Sequence, residues 1–62
     1  MKIRDYARHF RRWVENGSAY DSGVGDSPLE TQLEAWIFAY YGNSSTATYL
    51  REEREKIIDL IY

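Results

Sequence analysis

The chain has 62 residues and a mass of 7.4 kDa, which limits it to one small domain whose core alone seldom supplies more than ~3–5 kcal/mol. It has no cysteine and one histidine, His9, so disulfide frameworks, thiolate zinc sites and clustered-imidazole metal chemistry are excluded. Hydrophobic residues at 44% and charged residues at 29% fit a folded chain rather than a disordered one.

The net charge of −2 conceals an asymmetry. Residues 1–12 carry Lys2, Arg4, Arg8, Arg11 and Arg12 against Asp5 alone, while three bases and nine acids follow from residue 13 onward. The basic start and the acidic remainder are expected to attract each other across the folded domain. If they do not, the arginines are free for an acidic surface or RNA.

In chain order, Ile3, Tyr6, Ala7, Phe10, Trp13 and Val14 recur at spacings of three and four, which predicts an amphipathic helix over 2–16. Asn16-Gly17 ends it, glycine taking the left-handed conformation. Arg4, Arg8, Arg11 and Arg12 point away from the apolar stripe and form a basic face. His9 lies between that face and the stripe. Asp5 at i−4 could orient it, but no nucleophile accompanies the pair, so it reads as a surface histidine.

Residues 18–26 (SAYDSGVGD) read as a loop anchored by Tyr20 and Val24. Its acids lack the pattern of an EF-hand, and it has no P-loop ending, so neither a metal nor a nucleotide is expected, and no catalysis. Ser27-Pro28-Leu29-Glu30 then predicts a helix start, with Ser27 as N-cap, Pro28 at the first helical position and Glu30 completing a capping box. Over 28–41, Leu29, Leu33, Trp36, Ile37 and Tyr40 make one stripe. Ala35, Phe38 and Ala39 lie outside it, so the second half of this helix is apolar nearly all round. Such a helix needs cover on several sides, from the loop or from another subunit.

Gly42 stops that helix, and Asn43-Ser44-Ser45 caps the next. Ala47, Leu50, Ile57, Ile58 and Ile61 form the stripe of a third helix over 45–61, with Arg54 projecting into its middle. Glu52, Glu55 and Asp59 line the opposite flank, Glu52 at the favoured spacing from Lys56. No segment alternates with period two. A compact all-α domain of three helices is predicted.

Two functions fit this layout. Ten aromatics, 16% of the chain, exceed what a core of this size is expected to need, and Trp, Tyr and Arg are the residues enriched at binding hot spots. Phe38, Tyr41 and Tyr49 off the main stripes, with Arg54 as a charged anchor, therefore predict a non-catalytic protein-interaction module. A homodimer is its simplest form, since it would cover the far side of the second helix. A small adaptor, or a phage- or plasmid-type inhibitor of a host protein, would suit such a chain.

The second function rests on residues 38–51 (FAYYGNSSTATYLR), which resemble a helix-turn-helix. The resemblance covers about a quarter of the chain and implies DNA binding, with Ser45, Thr46, Thr48, Tyr49 and Arg51 as base readers at the start of the second helix of the motif. Glu52, Glu53 and Glu55 follow at once and oppose phosphate contact. The first residues hold no apolar run of signal-peptide length, and the longest such run, Ala35 to Tyr41, is far short of the ~20 residues that span a bilayer. A cytoplasmic protein with no membrane contact is expected.

Overall fold

The computed structural model describes residues 1–61. The fold is all-α as predicted, with five helices in the order α1 (Ile3–Glu15), α2 (Ser18–Asp21), α3 (Leu29–Tyr41), α4 (Ser45–Glu52) and α5 (Arg54–Ile61). The Cα radius of gyration is 10.5 Å, against about 10.6 Å expected for a compact chain of this length. α1 packs mainly on α5, while α3 packs on α4 and contacts both α1 and α5.

The core is the set of stripes predicted from helical spacing. Phe10, Leu33, Ile37, Leu50 and Ile57 are fully buried, with Ala7, Trp13, Trp36, Ala47 and Ile58 around them. α1 ends as expected: Asn16 donates its N–H to the Arg12 carbonyl, and Gly17 takes φ 88°, ψ 0°. Gly17 also starts α2, a single turn inside the predicted loop. Ala19 of that turn is buried, so it and the half-buried Val24 anchor the segment. Tyr20 does not, being 67% exposed with its ring lying over Gly25.

The start of α3 differs from expectation by one residue. Pro28, not Ser27, occupies the cap position with φ −55°, ψ 154°, and no side chain caps the helix. Ser27 acts instead through its carbonyl, which accepts a 2.8 Å hydrogen bond from Gln32 Nε2. The same amide reaches the Gly25 carbonyl at 3.3 Å. Among the described residues Gln32 is the one buried polar residue, and its Oε1 has no hydrogen-bond partner there. The second capping signal is realised as written: Ser44 Oγ accepts from the Ala47 N–H at 3.2 Å.

The predicted third helix is two helices. Glu53, at φ −101°, ψ 14°, interrupts it between α4 and α5. The reason lies one residue on. At ~100° per residue, an unbroken helix would point Arg54 between Leu50 and Ile58, burying its guanidinium. A buried unpaired charge is strongly unfavourable. The interruption turns Arg54 outward, where it is exposed and donates to the Arg51 carbonyl at 3.2 Å, while Leu50, Ile57 and Ile58 all stay buried. Lys56 pairs with Glu53 at 3.1 Å rather than with Glu52.

Candidate interaction surface

Seven of the ten aromatic residues form one connected chain of rings. From Trp13 it runs to Phe10 (centroids 6.2 Å apart), to Trp36 (5.5 Å), to Tyr41 (5.6 Å), to Tyr6 (5.9 Å) and to Tyr49 (6.5 Å), with Tyr40 branching from Trp36 at 6.3 Å. Most of the aromatic surplus is therefore structural. The chain starts in the core between α1 and α3 and surfaces at the C-terminal end of α3. The Tyr6–Tyr41 and Trp36–Tyr41 contacts are edge-on, the geometry that ring quadrupoles favour. Burial raises the Tyr41 hydroxyl above its ordinary value of 10.0, and neighbouring Tyr6 raises it further.

The four residues singled out as an interface do not form one patch. Tyr41 and Tyr49 meet through Tyr6, and Tyr49 is 41% exposed. Phe38 lies on the same end of α3 and is 63% exposed, with no ring partner among the described residues. Arg54 belongs elsewhere. It lines an open depression with Glu30, Glu55, Ile58 and Asp59, toward the opposite end of α3.

Tyr40 is a departure of another kind. Its place on the α3 stripe predicts burial, yet it is as exposed as Phe38. It stands on the rim of an open groove between α1 and α3, of about 290 Å³, shared with His9, Arg12, Asn16, Trp36 and Tyr41. Two positions apart on a helix, Phe38 and Tyr40 project to roughly opposite sides. The end of α3 thus offers apolar surface in two directions, with exposed Ala39 between. The 18–26 segment does not cover this end.

Arg4, Arg8, Arg11 and Arg12 are all exposed along α1. Among the described residues the basic start pairs with the acidic part only locally, through Arg11–Glu15 one helical turn on; the other ion pairs are Arg51–Glu34 and Lys56–Glu53. Glu55 and Asp59 of α5 are exposed and line a depression with Glu30 of α3.

Of the candidate base readers, Ser45, Thr48 and Tyr49 are exposed and Thr46 is half-buried. Arg51 is half-buried, its Nε donating to Glu34 Oε1 at 2.6 Å and its Nη2 to the Gly42 carbonyl at 3.1 Å. Those bonds tie α4 to α3 and engage two of the three guanidinium nitrogens, so a guanine contact would compete with them. Sequence reasoning missed Gln32, although its spacing of three from Leu29 placed it on the α3 stripe. It also missed Leu60, an apolar residue left 53% exposed.

No group of three or more metal-ligating side chains comes together among the described residues, and no helix is long and apolar enough to cross a membrane. No protein-family model matches the chain, and no curated protein or solved structure is detectably similar to it.

Proposed function

We propose that this chain is a non-catalytic protein-interaction module of the cytoplasm that self-associates through the C-terminal end of α3. The observation that carries the reading is Phe38, a large apolar side chain 63% exposed at the end of the most hydrophobic helix. Fully burying such a side chain is worth about 1.5–3 kcal/mol, a large fraction of the stability a domain this small can build alone. Exposed Ala39, the next residue, extends the apolar surface, and Arg51 and Glu34 supply a polar rim already paired within the subunit. A small adaptor, or an inhibitor that docks on another protein, would use such a surface.

The test is size-exclusion chromatography with light scattering on the wild type and on Phe38→Glu, alone and with mixed-sequence duplex DNA at ~50 mM salt, where electrostatic binding is strong. The wild type is expected to run as a dimer that ignores DNA. Phe38→Glu is expected to run as a monomer with unchanged helicity. A monomeric wild type would overturn self-association, and salt-sensitive co-elution with DNA would replace this reading with that of a DNA-binding regulator.

A further inference from the structure

A second surface lies away from the α3 end. Between α1 and α5 runs an open groove of about 170 Å³, lined by Arg4, Arg8 and Arg11 above Ala7, Leu60 and Ile61. The three arginines stand at i, i+4 and i+7 of one straight helix, so their guanidinium groups repeat along about 10 Å of its length. Of the three, only Arg11 has an ion-pair partner among the described residues, the neighbouring Glu15 at 3.4 Å on the helix surface. Among the described residues, Arg4 and Arg8 have no ion-pair partner. Below them sits Leu60, more than half exposed.

We propose that this groove docks an acidic amphipathic helix of a partner protein. Carboxylates spaced four and three apart would each meet one guanidinium, and the intervening apolar side chains would seat on Leu60 and Ile61. Charge complementarity sets the sign of the partner, because desolvated arginine–carboxylate pairs are bidentate and directional. The apolar floor sets its class. A nucleic-acid backbone gains nothing from Leu60, and the remainder of the molecule, at −6, repels a polyanion as long as a duplex. The proposal shares the protein-binding class of the reading above but uses a different surface, so the two stand or fall separately.

The probe is a fluorescein-labelled helix-forming peptide of about 16 residues, with glutamates at that spacing and leucines beside them, followed by anisotropy at low and moderate salt. Binding is expected, and is expected to weaken as salt rises. It should fall about tenfold or more with R4E/R8E. Replacing the probe's glutamates by glutamine should produce a similar loss and needs no altered protein. Leu60→Ser, or leucine-to-serine changes in the probe, should weaken binding severalfold. Circular dichroism checks that the variants keep their helicity, and Phe38→Glu should lose assembly while still binding the peptide. Absence of salt-sensitive binding, or indifference to the probe's glutamates, would overturn the proposal. So would tighter binding of single-stranded RNA or duplex DNA, or an R4E/R8E variant that dissociates the wild-type oligomer, which would make the groove a contact between copies.

Discussion

At Gly42 the chain leaves α3 with φ 59° and ψ −122°, a backbone conformation that a side chain makes costly. Its N–H closes the helix on the Phe38 carbonyl at 3.0 Å, and its own carbonyl receives Arg51. Space is not the constraint, since a β-carbon there would meet nothing within 4 Å. Gly42→Ala is therefore expected to destabilise by about 1–3 kcal/mol through backbone strain, measured by urea denaturation. Tyr41, beside it, gives a pH effect. Its hydroxyl is harder to ionise in the folded chain than in the unfolded one. The stability it contributes is complete below pH ~10, the ordinary tyrosine value, and is lost as pH rises through the higher folded value. Stability measured from pH 8 to 11 should fall more steeply for the wild type than for Tyr41→Phe. Parallel curves would show that Tyr41 has no part in that loss.

The helices divide into those whose ends are written in local chemistry and those whose ends are not. Ser44 caps α4 through its hydroxyl, whereas Ser27, in an apparently stronger signal, caps nothing because Pro28 has taken the cap position. Ser44→Ala is expected to cost about 0.5–2 kcal/mol and Ser27→Ala only a few tenths of that, both read from thermal or urea unfolding. Equal losses at the two positions would mean that Ser27 has a role in the unfolded or assembled chain. The break at Glu53 has no glycine or proline to announce it. It coincides with the position of Arg54 on the stripe, where an unbroken helix would direct a charge toward the core.

Across the whole molecule, the balance between core and surface is tight. The aromatic rings are committed mostly to joining α1, α3 and α4, yet the end of α3 and the edge of α5 still expose Phe38, Tyr40 and Leu60. If the copies associate through Phe38, the thermal midpoint should rise with protein concentration, because a partner that binds only the folded state stabilises it by mass action. The same dependence should vanish in Phe38→Glu. The charge layout gives the molecule distinct sides. Exposed arginines lie on α1, and a carboxylate-rich depression lies between α3 and α5. The proposed acidic-helix partner would sit on the basic side, apart from the apolar end of α3.

The amino-acid sequence by itself determined the helical class, most of the core and two of the helix stops, because spacing of apolar residues and the conformational freedom of glycine act over a few residues at a time. Ile3 to Val14 and Ala47 to Ile61 kept the inward faces that their periodicity assigned. Only the tertiary structure decided which neighbours those faces would meet. Tyr40 sits on the stripe but at the rim of the open groove between α1 and α3, so it is exposed. Gln32 sits on the same stripe and is buried, because two loop carbonyls need its amide. The candidate interface was legible as a list of residues, not as a patch: Tyr41 and Tyr49 converge through Tyr6 from a distant helix, and Arg54 is turned away. The arginine row was legible as a face. That Arg4 and Arg8 line a groove with Leu60, while Glu55 and Asp59 line another depression, is an outcome of packing that no local spacing encodes.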